Sequence, residues 1–254
     1  NRAAQEVERA FYDYSPAWAG NETRLVNLGE VRLLLQASSA QALNLSFDVR
    51  QGERRLDEVI AQVEAFPQAC LWVIGPSSQP TDLEARLRRR EFKRVREWEG
   101  LVLDDLSQTI PRNSEVVIEP LTQDNMEEYA HAIAGDRTSP LYAQALAQAQ
   151  RFVRLVPQQV QIDLARLDGV VAGYAVLRIE PRQIAYFRSA MTVPAFRQRG
   201  VYLSLVAHRL AQARTVGCNV AVIQAVAETS APILKKRGFR PVCRFIGLAR
   251  SAEP

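Results

Sequence analysis

Residues 192–217 read TVPAFRQRGVYLSLVAHRLAQARTVG. The apolar run QIAYFRSAMTV at 183–193 leads into Pro194, a tight turn follows, and a long helix begins after Gly200. Leu203, Val206, Leu210 and Ala213 recur at the three- and four-residue spacing of one buried helical face. Gly217 supplies a left-handed helix stop. The stretch carries Arg197, Arg199, Arg209 and Arg214 but no acidic residue, although the chain has 28 of them. The first N–H groups of a helix lack internal partners, and the aligned peptide dipoles place partial positive charge there. An acid-free, arginine-flanked helix start behind a glycine is therefore built for an anion.

The flanking sequence supplies the rest of an α/β pattern. VAVIQAV at 220–226 is apolar throughout, as a strand covered on both faces should be. Strand, helix and strand in that order predict a right-handed parallel crossover. Upstream, EVVIEPL (115–121) opens a strand, and QDNMEEYAHAIA and SPLYAQALAQAQRF predict two helices capped by Asp124 and Ser139. VQIDLARLDGVVAGYAVLRI then reads as a hairpin turning at Asp168-Gly169.

The first half repeats the plan. LWVIGPSSQPTDLEARLRRREFKRV (71–95) and VAVIQAVAETSAPILKKRGFRPV (220–242) are each a strand, a polar turn and a short basic helix. Phe92 and Val95 then answer Phe239 and Val242. The polar stretch DDLSQTIPRNSE (104–115) is the expected seam between domains at 1–110 and 115–254, each a mixed β-sheet flanked by helices. The turn matching the anion site is VRQGERRLDEVI, where Gly52 is followed by Glu53, Asp57 and Glu58. Such carboxylates stabilise a helix start but repel phosphate, and Glu91 stands where the second half has Gly238.

Composition narrows the class. A chain of 254 residues suffices for two domains. No apolar run approaches the ~18–20 residues that span a bilayer, and NRAAQEVERAF is not a signal peptide. Three cysteines without CxxC spacing and two scattered histidines argue against a disulfide framework or metal site, and for a reducing cytoplasm. Only three of the 32 basic residues are lysine, and arginine forks match phosphate. The arginines are dispersed among acids rather than drawn into a stripe with interleaved aromatics, which argues against nucleic acid.

Arg197-Gln198-Arg199-Gly200-Val201-Tyr202 resembles the Gln/Arg-x-x-Gly-x-Gly/Ala fingerprint of the GCN5-related N-acetyltransferase (GNAT) superfamily. Tyr202 departs from the small residue expected last. Lys235-Lys236-Arg237-Gly238-Phe239 resembles the family's basic helix ending in Gly-Phe, and the element order from 115 to 254 follows the family too. The resemblance implies a pyrophosphate cradle for acetyl-CoA formed by Arg197, Gln198, Arg199, Gly200, Val201 and Tyr202, with Gly200 letting the backbone approach the ligand. A backbone N–H near Met191, Thr192 or Val193 would hold the thioester carbonyl. The first half then resembles a degenerate copy.

The resemblance further implies direct attack of an amine on the thioester in a ternary complex, with a small-molecule or peptide acceptor. The family's usual acid, a Tyr four residues before the Gly-Phe glycine, is Leu234 here, and its frequent Asn is Ala227. Glu228 is the best-placed carboxylate for a base, against the plainer role of an exposed helix-start acid. Ser230 either hydrogen-bonds the pantetheine arm or caps its helix. Tyr186, Arg188 and Gln224 are candidates to line the cleft, subject to strand alternation; Tyr142 and the loop GDRTSP lie where substrate-selecting helices sit. A non-catalytic acyl-CoA sensor or assembly protein of the same fold is the competing reading. A homodimer is compatible with either.

Overall fold

The computed structural model describes residues 2–12, 23–36, 39–48, 52–155 and 160–250. In chain order its elements begin with α1 (Arg2–Tyr12), β1 (Arg24–Asn27), β2 (Arg32–Leu35), β3 (Ala40–Leu43), α2 (Gly52–Glu64), β4 (Cys70–Ile74), α3 (Leu83–Arg88) and β5 (Lys93–Leu103). They continue with β6 (Val117–Pro120), α4 (Met126–Ala134), α5 (Pro140–Leu155), β7 (Val160–Leu167), β8 (Val170–Glu180) and β9 (Ile184–Thr192). The last are α6 (Val201–Thr215), β10 (Val220–Val226), α7 (Ser230–Lys235) and β11 (Arg240–Ala249).

Two compact units interleave along the chain. One comprises Asn1–Leu101, Gln224–Lys236 and Arg240–Pro254; the other comprises Val102–Ile223 and Arg237–Phe239. The first division falls next to the polar stretch 104–115. The expected domains 1–110 and 115–254 are contiguous, whereas the compact units are not: the C-terminal strand groups with the first half.

In the first unit β1, β2 and β3 form antiparallel neighbours, and β3 pairs with β4 in parallel. On the other side of β4 lies β11, antiparallel, with Ile246 opposite Ile74 and Leu248 opposite Trp72. The core joins Leu33, Val59, Trp72, Leu83, Phe92 and Leu248, all nearly inaccessible. That Leu248 belongs to this core explains the grouping: its strand is buried by first-half residues.

In the second unit the antiparallel run β6-β7-β8-β9 is extended by β10, which pairs with β9 in parallel. The hairpin between β7 and β8 turns at Asp168 and Gly169, at φ 56° and 80°, the two positive values that a two-residue turn of matching twist requires. Helix α6 connects β9 to its parallel neighbour β10. Its end is a Schellman motif: Gly217, at φ 78°, donates to the Arg214 carbonyl and Cys218 donates to Ala213. The buried surface of α6 is wider than one stripe, taking in Val201, Ser204, Leu205, Arg209 and Ala213 beside Val206 and Leu210, while Leu203 is only half-buried. Ser139 caps α5 through a 3.2 Å bond from the Leu141 N–H. Asp124 does not cap α4: Asn125 holds the N-cap position, and its Oδ1 accepts instead from the Thr122 N–H.

The repeat of the two halves survives in backbone geometry. Glu91 and Gly238, which follow the two short basic helices, both adopt left-handed φ values of 67° and 87°. A glycine there is unstrained; a glutamate is not. Phe92 and Phe239 are buried in both copies.

Candidate functional site

After β9, a single 3-10 turn over Pro194–Phe196 leads into Arg197 in extended conformation. Gln198 and Gly200 are both left-handed, at φ 63° and 78°, and α6 starts at Val201. The N-cap is Gly200, so no side chain caps the helix, and its first turn holds no acid. The N–H groups at this start thus have neither a capping oxygen nor a carboxylate to answer them. Arg197 is exposed and has no ion pair among the described residues. Arg199 pairs with Asp168 of the hairpin turn at 2.8 Å and lies 5.6 Å from the Phe196 ring.

Three residues around this turn alter what its sequence suggests. A Cβ on Gly200 would lie 3.0 Å from the Asn113 Cβ. Both its left-handed φ and this close approach to Asn113 favour glycine here. Asn113 itself donates from Nδ2 to the Arg199 carbonyl at 2.9 Å. Tyr202, too large for the fingerprint, has its hydroxyl buried beside Arg209. Arg209 is inaccessible and lies over the Phe187 ring at 4.2 Å. Burial, partly offset by Tyr202 and Asp163, pushes its guanidinium down to about 10. Tyr202 as a whole is half-buried, with its hydroxyl end inside the unit.

The strand before the turn has one free edge. β9 pairs with β10 over Ile184–Tyr186 only, opposite Val220–Val222. The Val193 N–H is used, donating to the Ala172 carbonyl at 2.9 Å. Backbone N–H groups alternate in direction along a strand. Thr192, next to Val193 and opposite Gly173, therefore aims its N–H away from β8, toward the edge where β10 no longer pairs. Met191 shares the Val193 phase and faces β8. Of the three residues expected to hold a carbonyl, Thr192 has the suitable direction.

On the other face of this sheet, β9 carries a bulge. Val176 is opposite Ser189 but Leu177 is opposite Phe187, leaving Arg188 as the extra residue. Tyr186 is buried 4.9 Å beneath the Arg178 guanidinium, which is ion-paired with buried Glu180. Desolvation lowers the Arg178 pKa, and Arg188 adds to the lowering. Tyr174, whose phenol burial pushes up, meets Tyr129 of α4 edge-on at 5.1 Å. Tyr186 and Arg188 therefore share the face covered by α4. Tyr142 lies on α5 with Arg137 at 6.0 Å.

The remaining candidates belong to the first unit. Glu228 is exposed in the turn after β10. Ser230 Oγ accepts the Val226 N–H at 2.8 Å, which ties strand end to helix start. Leu234 is fully buried. Gln224 donates to the Val7 carbonyl at 2.8 Å, and the Ala227 N–H to Glu97. In the first half's counterpart of the anion turn, residues 49–51 lie outside the described residues. The first turn of α2 is filled from within: Glu53 is held by Arg86 at 2.8 Å, Arg89 at 3.3 Å and Arg90 at 2.7 Å, and Asp57 by Arg90. The Arg90 hydrogen bond holds the Glu53 carboxyl below the usual carboxylate range.

The model of the acetyltransferase (GNAT) family matches residues 121–239. This segment is a GNAT acetyltransferase domain. Solved structures agree on the fold: a GCN5-related N-acetyltransferase from Kribbella flavida (18% identity, TM-score 0.68, 99% of this chain and 96% of that one) and one from Sphaerobacter thermophilus (17%, 0.62, 99% and 90%). A tandem GNAT protein from the clavulanic acid biosynthesis pathway is similar as well (15%, 0.59, 93% and 86%). The curated proteins yield no match. The match supports acyl transfer as a general class for this segment, and the family generally draws its acyl group from acetyl-CoA. The α6 start suits that cosubstrate: it is uncapped, free of acid and next to a free strand edge. Among the described residues no helix is long and apolar enough to cross a membrane, and no cluster suits a metal ion.

Proposed function

We propose that the chain is an N-acyltransferase that moves the acetyl group of acetyl-CoA to a primary amine of a small molecule or peptide, by direct attack in a ternary complex. The observation that carries this reading is the uncapped, acid-free start of α6 behind two left-handed residues. Acetyl-CoA supplies an activated thioester. The N–H groups from Gln198 to Leu203 suit its pyrophosphate, with Arg197 adding charge. The Thr192 N–H suits the thioester oxygen, whose negative charge grows as the amine adds. Glu228 is the carboxylate assigned to accept the ammonium proton, directly or through water.

The first half is proposed as a GNAT-like copy without a cofactor site, because Glu53 and its arginines already occupy the helix start. Three free cysteines suit a reducing cytoplasm. One observation favours a second reading: with buried, apolar Leu234 at the position of the usual phenol, the domain lacks that acid, as a non-catalytic acyl-CoA sensor would. A screen of amine acceptors with detection of free thiol separates the two. Acceptor-dependent thiol release is expected; acetyl-CoA binding without release from any amine would leave the sensor.

A further inference from the structure

Asn113 lies 86 residues before Arg199 in sequence, in the segment that precedes β6, yet both of its N–H donors are spent on α6 and the turn before it. Its backbone N–H donates to Ser204 Oγ at 3.0 Å, and Ser204 is buried at 1% exposure. Its carbonyl accepts the Val116 N–H at 3.1 Å. Its side-chain Oδ1 accepts the Glu115 N–H at 2.9 Å, and this fixes which end of the amide is which. Nδ2 is therefore turned to the Arg199 carbonyl. The Cβ contact direction of Gly200 closes the arrangement from the other side.

A trans peptide points its C=O and the following N–H in opposite directions. Fixing the Arg199 carbonyl toward Asn113 fixes the Gly200 N–H away from it. Without that bond, the peptide between Arg199 and left-handed Gly200 is free to rotate, and the N–H groups that should converge on an anion lose their common direction.

We propose that Asn113 is a positioning residue for the pyrophosphate of CoA: it holds the 199–200 peptide in the orientation that presents the α6 N–H groups to the ligand. This rests on the acetyl-CoA reading above. The residue touches the turn, not the ligand, so it acts on the pyrophosphate and not on the pantetheine arm.

The test is calorimetric titration of the full chain and two variants with CoA and with pantetheine, which lacks the pyrophosphate. Asn113→Asp keeps the Oδ1 acceptor for Glu115 and replaces the donor to Arg199 with a charged oxygen. Asn113→Ala removes the amide without adding charge. Both are expected to weaken CoA binding about ten-fold, the scale of one well-placed hydrogen bond. Both should leave pantetheine binding and the melting temperature within the range of the parent. A CoA affinity unchanged in both, or equal losses for CoA and pantetheine, overturns the positioning role while leaving the cradle. A parent protein that binds no CoA overturns the acetyl-CoA reading and this inference together.

Discussion

At the scale of single residues, the site is governed by side chains whose meaning depends on distant partners. Gly200 was legible as a necessary glycine from the motif alone, but its reason was not. Its side-chain direction faces Asn113 at 3.0 Å, and no local pattern joins positions so far apart in sequence. Gly200→Ala should lower stability by about 1–2 kcal/mol, because a left-handed alanine is strained, and should weaken CoA binding by pushing Asn113 from the Arg199 carbonyl. A thermal melt and a CoA titration check both; if the variant keeps parental values in each, the close approach has no consequence. Tyr202 looked like a blemish for a related reason: burial of its hydroxyl beside Arg209 is a tertiary fact. Glu228 was read as the candidate base, and it is exposed. A lysine-like acceptor titrates near ~10.4, so deprotonation should limit the rate and activity should climb through the alkaline range. Glu228→Gln should reduce the rate several-fold at neutral pH while CoA affinity is kept. Full activity in that variant would move the base to another group.

At the scale of elements, the two helix starts give opposite answers to one physical problem. Any helix start presents N–H groups without internal partners and a positive dipole end. At α6 no side chain among the described residues caps them; in α2 Glu53 sits in the first turn and Arg86, Arg89 and Arg90 gather on it. The absence or presence of acids in these turns was plain in the sequence, and so the difference was too. What could not be read was the arginine clamp, since Glu53 and Asp57 meet Arg86, Arg89 and Arg90 across more than thirty residues of sequence. One CoA per chain should therefore bind, and titration resolving two equivalent sites would refute the filled-turn argument. The clamp also has a pH signature. Hydrogen bonds from Arg90 depress the carboxyls of Glu53 and Asp57 in the folded chain. A depressed acid contributes stability above its unfolded pKa and loses it as pH falls through the folded value. The melting temperature of Glu53→Gln should thus lie slightly below the parent at neutral pH, and the gap should close on acidifying below about pH 4, through the ordinary carboxylate range. A gap that stays constant down to strong acid would show that the ion pairs add nothing. The gap is expected to be small, because these groups are exposed and screened by solvent.

At the scale of the whole molecule, sequence reading found the parallel crossover and the hairpin, since each is a local signal of periodicity or turn chemistry. It gave the last strand to the second half, because chain order suggests so and a strand's own pattern does not name its neighbour. β11 nonetheless pairs with β4, placing Ile246, Gly247 and Leu248 opposite Ile74, Val73 and Trp72. Leu248 and Phe245 are fully buried, the first in the core around Trp72 and the second edge-on to the rings of Phe11 and Tyr12. Burial of two such side chains contributes about 3–6 kcal/mol. That is comparable to the whole stability of a domain, about 5–15 kcal/mol. Residues 1–110 produced alone should then fail to fold, because they would also expose the open edge of β4, a template for aggregation. The same segment joined through a flexible linker to residues 240–250 should regain cooperative unfolding and the near-ultraviolet signal of Trp72. The comparison is decisive in either direction. If residues 1–110 alone melt cooperatively and remain monomeric, the first half is autonomous and the C-terminal strand is an accessory. If only the joined version does, the last strand of the chain is a structural part of its first half.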